Sequence, residues 1–339
     1  MKISVIFTGG TIGSKVNEKG VIGTDASTHY RLIDMYNSKN PNTIEFSIKE
    51  PYDTLSENLN SAHIQKLAAC IADTMENDKP DGIIVTHGSD TLQYTAAILS
   101  YLFSNERIPV ILVASNYILD DYRSNGVVNF KYAIEFIYRL REGGVYVSYK
   151  NPGKKPMIHK GTRLLQPLPF SCDFDSVADS WYAKFSMHGY LENIAKNLNY
   201  RTAYGNRDSI GINPKDFLLT PNTDYIMRIV PYVGMTYPTL DKKTKVVLHE
   251  SYHSGTICNS KELEEFAKQA AALQIPIYLT GLSSSEKEYE SVEFYKKLGI
   301  IPLPETAVIS QYCKLWLAIS NGLPIESLMQ ISVADDHLA

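Results

Sequence analysis

The chain has 339 residues, of which 44% are apolar, and its 33 basic and 37 acidic residues give a formal net charge of -4. This length suffices for two domains, because a single hydrophobic core usually stops growing at about 250–300 residues. The charge excludes the strong basic field typical of nucleic-acid-binding proteins. No run approaches the ~20 consecutive apolar residues that span a bilayer. We therefore expect a cytoplasmic protein that binds a small molecule, and neither nucleic acid nor a membrane.

The four cysteines, Cys70, Cys172, Cys258 and Cys313, lie far apart in the sequence. They form neither a Cys-x-x-Cys pair nor a cluster with the spacing of metal ligands. We expect them to be reduced residues of the core, and we predict neither a disulfide nor a metal site.

The first predicted strand ends in a glycine-rich turn that carries a threonine. The residues from Ile3 to Phe7 favour a buried strand. Gly9 and Gly10 then allow the backbone to turn sharply before Thr11. Ligands of open parallel sheets bind at the carboxyl ends of the strands, so we expect the Thr11 hydroxyl to lie at a binding edge.

A second polar strand end follows the strand predicted at 81–86. It reads His87-Gly88-Ser89-Asp90 and is followed by Thr91 and a helical pattern. Either Ser89 or Asp90 could also be an ordinary helix N-cap, so this alternative stays open on the sequence.

Strands and helices alternate along the whole chain. Further apolar strands are predicted at 44–49, 109–115, 144–149, 226–230, 245–248 and 276–279. Nearly all-apolar strands between helices indicate a parallel sheet that is covered on both faces. We predict an α/β fold, with a larger N-terminal domain (1–190) on a parallel, flavodoxin-like sheet. A linker (191–222) and a smaller C-terminal α/β domain (223–339) follow.

Residues 14–25 are polar and are interrupted by Gly20 and Gly23. This composition favours a mobile loop above the first strand end that could close on a ligand. An ordinary surface hairpin is the alternative.

Hydroxyl, carboxylate and amine groups occur at three of these places: Thr11, the pair Ser89 and Asp90, and Lys160. An alcohol is weakly nucleophilic near neutral pH unless a neighbouring base accepts its proton. A lysine of lowered pKa that is held by a carboxylate can act as that base. Ser89, Asp90 and Lys160 are therefore a chemically adequate set.

In these features the chain resembles the bacterial-type L-asparaginase family. The family hallmark Thr-Gly-Gly-Thr-Ile-Gly stands at 8–13, and His-Gly-Thr-Asp-Thr is matched by His-Gly-Ser-Asp-Thr at 87–91. The resemblance extends to Ser-Glu-Asn at 56–58 and to Lys160. The glycine patterns of nucleotide-binding loops, Gly-x-Gly-x-x-Gly and Gly-Lys-Ser/Thr, are absent.

The resemblance implies an amidohydrolase acting on L-asparagine without a cofactor. Thr11 would attack the side-chain amide carbon, release ammonia and form an ester that water hydrolyses. Ser89, Asp90 and Lys160 would form the second catalytic group, which handles proton transfer. The resemblance also implies a homodimer or homotetramer, because sites of the family are completed across subunits.

The resemblance further implies a set of binding residues. Ser56 would hold the substrate α-carboxylate, and Glu57 and Asp90 its α-ammonium group. Glu57 also resembles the residue of asparaginases that accept glutamine, so we expect minor glutaminase activity. Backbone N–H groups near Gly10 and Gly88 would stabilise the oxyanion.

Three departures from the family pattern keep other functions open. Ser89 replaces a threonine, and Val21 stands where the family lid carries a tyrosine, a role that Tyr30 could take over. In the second domain, Thr256 is the expected substitute for a segment that reaches the neighbouring subunit's site. The alternatives are an amidase acting on another carboxamide and a catalytically silent amino-acid-binding or regulatory protein.

Overall fold

The computed structural model describes residues 1–25, 27–40, 44–186, 191–194, 209–221, 223–281 and 289–338. The strands in these ranges are β1 (Lys2–Ile6), β2 (Ser14–Val16), β3 (Ile22–Thr24), β4 (Glu45–Lys49), β5 (Gly82–Thr86), β6 (Pro109–Val113), β7 (Gly144–Tyr149), β8 (Met157–Lys160), β9 (Ala183–Phe185), β10 (Leu191–Ile194), β11 (Ile226–Ile229), β12 (Val246–Glu250), β13 (Ile277–Thr280) and β14 (Ile301–Pro302). The helices are α1 (Ser27–Asn37), α2 (Ser61–Asn77), α3 (Leu92–Phe103), α4 (Gly126–Leu140), α5 (Lys261–Ala272), α6 (Glu290–Lys297), α7 (Val308–Ser320) and α8 (Ile325–Gln330). None of these helices combines the length and apolarity that crossing a bilayer requires.

The larger sheet confirms the predicted parallel arrangement. β4, β1, β5, β6 and β7 lie side by side in that order and are mutually parallel. This is the 2-1-3-4-5 strand order of flavodoxin-like sheets. The sheet continues through β8, β9 and β10, which are antiparallel to their neighbours and were not predicted.

Helices cover both faces of this sheet, which explains why its strands are apolar throughout. Successive side chains of a strand point to opposite faces. Val85 and Leu112 pack with α2 and α3 on one face, whereas Ile84 and Ile111 pack with α1 and α4 on the other. Every residue of β5, β6 and β7 is buried as a result.

The second sheet is smaller and consists of β11, β12, β13 and β14, all parallel. One of its faces packs against α5 and α6, and the other against α7 and α8. The predicted smaller α/β unit is therefore confirmed. Helix α7 also joins the core of the first sheet through Ile309, Cys313 and Leu317.

The predicted boundaries at 190 and 222 stay predictions. β10 lies within the predicted linker 191–222, yet it pairs with β9 in the first sheet. The linker residues 195–208 and 222 lie outside the described residues.

Two local expectations are changed by the structure. Residues 14–25 form the β2–β3 hairpin, the alternative to the predicted loop, with Ser14 paired to Thr24. All four cysteines are free, but only Cys313 is buried and Cys70 is half-buried. Cys172 and Cys258 are exposed, so the prediction that these two belong to the core is wrong.

A buried ion pair ties the last residues of the chain to α3 and α7. Lys314 Nζ lies 2.9 Å from Asp336 Oδ2, and both side chains are 1% exposed. Lys314 also donates to the Ile331 carbonyl oxygen, and the Tyr101 hydroxyl donates to Asp336. Burial lowers the pKa of Lys314, and the Asp336 carboxylate opposes that shift.

We expect Lys314→Met to lower the free energy of unfolding by about 3–5 kcal/mol, because it leaves the Asp336 charge buried without its cation. Lys268→Met on exposed α5, where the side chain is 74% exposed, is the matched control and should change it very little. Urea unfolding of both variants tests this. Equal losses of unfolding free energy in the two variants would show that the buried ion pair contributes no more to stability than the exposed lysine does.

Candidate active site

Two glycines bring the carboxyl ends of β1 and β5 into direct contact. A Cβ atom on Gly10 would lie 2.4 Å from Gly88 N, and one on Gly88 would lie 2.4 Å from Ser56 Oγ. Gly10 has a φ of 75° and donates its N–H to the Thr54 carbonyl oxygen over 3.0 Å. Side chains at either glycine would therefore force the two turns apart.

The predicted hydroxyl groups follow these glycines. Thr11 comes directly after Gly10 and begins the short 3-10 helix Thr11–Gly13, where its side chain is half-buried. Ser89 comes directly after Gly88 and is also half-buried. Thr11 and Ser89 therefore lie in adjoining turns that follow two neighbouring strands of the sheet.

Ser56 links its own segment to the turn after β5. Its hydroxyl lies 3.2 Å from Asp90 Oδ2, to which it donates, and it accepts from the Asp90 N–H over 3.3 Å. The Thr91 hydroxyl donates to the Ser56 carbonyl oxygen over 3.0 Å. The buried Ser56 thus holds the exposed Asp90 carboxylate in place.

The structure contradicts the N-cap alternative for Ser89 and Asp90. Helix α3 begins at Leu92 with Thr91 as its N-cap residue, and no side chain caps it. The side chains of Ser89 and Asp90 are therefore not used to close the helix end.

His87 has a structural position in the same turn. Its Nδ1 lies 2.8 Å from the Gly88 carbonyl oxygen and its Nε2 lies 2.9 Å from Thr95 Oγ1. Burial lowers the pKa of His87 to about 4. The ring is neutral near pH 7, so Nδ1 donates to the carbonyl group and Nε2 accepts from the hydroxyl group.

A cavity of about 370 Å³ opens beside Ser89 and Asp90. Its wall includes Asn116, which follows β6, and Tyr149, which is the last residue of β7. A stretch of the chain after β8 completes the wall. The lining residues are Ser89, Asp90, Asn116, Tyr149, Gln166, Pro167, Leu168, Pro169, Phe170, Ser171, Cys172 and Phe174. Among these described lining residues there is one carboxylate and no lysine, arginine or histidine.

Lys160 lies elsewhere, and the prediction that it supplies the amine of this group is wrong. It pairs with Asp335 and lines a separate cavity of about 150 Å³ with Ser104 and Gly144. The reason is that β8 runs antiparallel to β7, which sets Lys160 opposite Tyr146, away from the carboxyl end of β7. Ser104 lies just after the end of α3, whereas Asp90 lies just before its start. A helix of 12 residues is about 18 Å long, so Ser104 and Asp90 lie about that far apart.

Gln166, Asn116 and Tyr149 line the cavity but were not predicted as site residues. Asn116 and Tyr149 lie at or just after the carboxyl ends of β6 and β7, so the rule that identified Thr11 could have found them. Gln166 lies in an irregular stretch, and nothing in its sequence context indicates its position.

Of the predicted site residues, only Ser89 and Asp90 line this cavity, and Thr11, Ser56, Gly10 and Gly88 are not among its lining residues. Glu57 is exposed and makes no hydrogen bond or ion pair within the described ranges. Val21 and Tyr30 are 57% and 60% exposed, on the hairpin and on α1. Thr256 lies after β12, lines another cavity and shares a hydrogen bond with Ser254, so its role in a neighbouring subunit stays a prediction.

Comparison with known proteins gives a consistent result. Residues 2–174 match the family model described as "Asparaginase, N-terminal". L-asparaginase 1 of Escherichia coli K12 is 34% identical over 334 residues, which cover 96% of this chain and 94% of that protein. The thermostable L-asparaginase from Thermococcus kodakarensis shares the fold, with a TM-score of 0.75 at 21% identity, over 100% of this chain and 99% of that one.

Another group of relatives carries a different name. One of them, a component of the glutamyl-tRNA(Gln) amidotransferase of Thermoplasma acidophilum, is 32% identical over 147 residues, or 40% of this chain. The match spans only 32% of the length of that relative. The counterpart of Haloquadratum walsbyi is 33% identical over 352 residues, which cover 98% of this chain and 75% of that one.

We expect Gly10→Ala to lower the free energy of unfolding by about 1–3 kcal/mol more than Gly20→Ala does. Both glycines have a similar positive φ, 75° and 77°, so an alanine at either suffers the same backbone strain. Only at Gly10 does the added Cβ meet another backbone, whereas nothing lies within 4 Å at Gly20. Urea unfolding of the two variants measures the difference, and equal losses would contradict the close contact.

Proposed function

This chain belongs to the asparaginase family, whose activity is that of amidohydrolases, and on that premise we propose that it hydrolyses L-asparagine to L-aspartate and ammonia. The observation that carries the proposal is the contact between Gly10 and Gly88. It brings the turn after β1, which carries Thr11, next to the turn after β5, which carries Ser89 and Asp90.

The proposed reaction has two steps. Thr11 Oγ attacks the side-chain amide carbon, the C–N bond breaks, and ammonia leaves with the proton that the hydroxyl loses. Water then hydrolyses the resulting β-aspartyl ester and restores the Thr11 hydroxyl. Asp90 is the one carboxylate among the described lining residues, so it is the group that accepts and returns the proton, with Ser89 beside it.

The oxyanion needs N–H donors that are not already engaged. The Gly10 N–H donates to Thr54, so it is not one of them. Within the described residues, the N–H groups of Thr11 and Ser89 have no acceptor, and both adjoin the contacting glycines. We assign the oxyanion to these two amides, because preorganised donors stabilise the charge that develops on the attacked oxygen.

Charge supports a substrate with an ammonium group. Asp90 offers a negative charge at the cavity, and Ser56 holds that carboxylate in position. Glu57 follows Ser56 on the exposed side of the same turn and adds a second negative charge nearby. Minor glutaminase activity remains part of the proposal, because Glu57 does not contact the amide end of the substrate in this scheme.

A second candidate function is ligand binding without turnover. The observation that favours it is the lining of the cavity, whose described residues include no amine to act as base. Hydrolysis of a larger carboxamide is favoured by the apolar wall of Leu168, Phe170 and Phe174. Ammonia release from asparagine, glutamine and peptide-linked asparagine separates these possibilities.

Assembly and location belong to the same proposal. We expect a cytoplasmic homodimer or homotetramer in which Thr256 of one subunit reaches the cavity of another. Multi-angle light scattering measures the assembly, and a monomer at assay concentration would exclude this role for Thr256.

Thr11→Val, which is nearly isosteric, should abolish ammonia release from L-asparagine, because it removes the nucleophilic oxygen and little else. Thr244→Val is the control, since Thr244 is a buried threonine just before β12, a strand of the second sheet. Steady-state release of ammonia by both variants tests the assignment. A Thr11→Val enzyme with more than about a tenth of wild-type kcat would exclude Thr11 as the nucleophile.

Lys160→Met should keep kcat within about threefold of wild type, because the lysine lies away from Asp90. Its melting temperature should fall, since the ion pair between Lys160 and Asp335 is lost. Asp90→Asn is the comparison and should lower kcat by about 10²–10⁴. If Lys160→Met lost activity as severely as Asp90→Asn, the lysine would act in catalysis despite its position.

A further inference from the structure

Tyr149 has a buried hydroxyl group without a partner. It is the last residue of β7, and its side chain is 2% exposed. Its hydroxyl makes no hydrogen bond with any described residue. A buried polar group left unpaired destabilises a fold by about 1–3 kcal/mol, so native structures contain few of them.

One polar side chain lies near this hydroxyl without forming a hydrogen bond of good geometry with it. Asn125 lies close enough to Tyr149 to limit the rise in its pKa. However, Asn125 Oδ1 accepts from the Asn116 N–H and its Nδ2 donates to the Lys150 carbonyl oxygen, both over 3.0 Å. The Tyr149 ring packs edge-on against buried Phe174, with centroids 4.8 Å apart, so the hydroxyl is held in a fixed place.

The chemistry of the cavity indicates what the hydroxyl would bind. Tyr149 shares this cavity with Ser89 and Asp90 and with the neutral amides Asn116 and Gln166. Burial raises the pKa of Tyr149 to about 12, so the phenol stays protonated and can donate. The described lining residues include no cation that would pair with a carboxylate or phosphate, which favours a neutral acceptor.

We propose that Tyr149 is a ligand-binding residue whose hydroxyl donates a hydrogen bond to a neutral carbonyl oxygen of a carboxamide held beside Ser89 and Asp90. The carboxamide part of this inference rests on the proposed function. Binding of the ligand would give the buried hydroxyl the acceptor that the chain itself does not provide.

Tyr149→Phe tests this, because it keeps the ring and removes only the hydroxyl. We expect KM for the best carboxamide substrate to rise about fivefold to fifteenfold, with kcat changed less and the resistance to urea unfolding unchanged or increased. Tyr146→Phe is the matched control on the same strand. Its hydroxyl donates to the Gly143 carbonyl oxygen over 2.9 Å, so this variant should lose resistance to urea and keep KM.

The outcomes separate this inference from the proposed function. If the wild type turns over the substrate and Tyr149→Phe has the same KM, the role of Tyr149 is overturned and the proposed function stands. A loss of stability as large as that of Tyr146→Phe also overturns it, since the hydroxyl would then have a structural partner.

If the wild type releases no ammonia, the shift of its melting temperature with asparagine, glutamine and N-acetylasparagine is measured instead. If one of these stabilises the wild type and Tyr149→Phe loses that shift, hydrolysis is excluded and the role of Tyr149 stands. If Tyr149→Phe keeps the shift, or none of the three stabilises the wild type, the role of Tyr149 is excluded.

Discussion

The close approach of Gly10 to Gly88 is the constraint on which the candidate site depends. Strand order places β1 beside β5, and the absence of both Cβ atoms lets their turns touch. Ser56 fills the remaining space and fixes Asp90 through two hydrogen bonds, while the neutral His87 ring ties the turn to α3. Flavodoxin-like sheets bind ligands at this point, where the chain reverses its direction of strand addition.

The first half of the fold could be predicted from sequence because its strands are buried on both faces. Such strands form continuous apolar runs, and the carboxyl-edge rule then places Thr11 and Ser89 together. Lys160 could not be placed in this way, because its position depends on β8 turning back along β7. Gln166 follows in a stretch without periodicity, so only the three-dimensional path of the chain shows that it lines the cavity.

The two halves of the site differ in how closely they follow the family pattern. The turn after β1 carries threonine and glycines in the expected order, and the turn after β5 carries the hydroxyl and the carboxylate. The cavity beyond them is lined by neutral donors, namely the amides of Asn116 and Gln166 and the Tyr149 hydroxyl, where an amine was expected. In the proposed reaction, proton transfer therefore falls to Asp90, and uncharged groups line the rest of the cavity.

The proposed reaction depends on acylation of Thr11. The most direct measurement is to mix the protein with L-asparagine, quench with acid within the first turnovers and identify modified peptides by mass spectrometry. We expect a peptide that is heavier by one aspartyl group, with the added mass on Thr11 and lost on longer incubation. An adduct on another residue, or ammonia release without any adduct on Thr11 under these conditions, would contradict it.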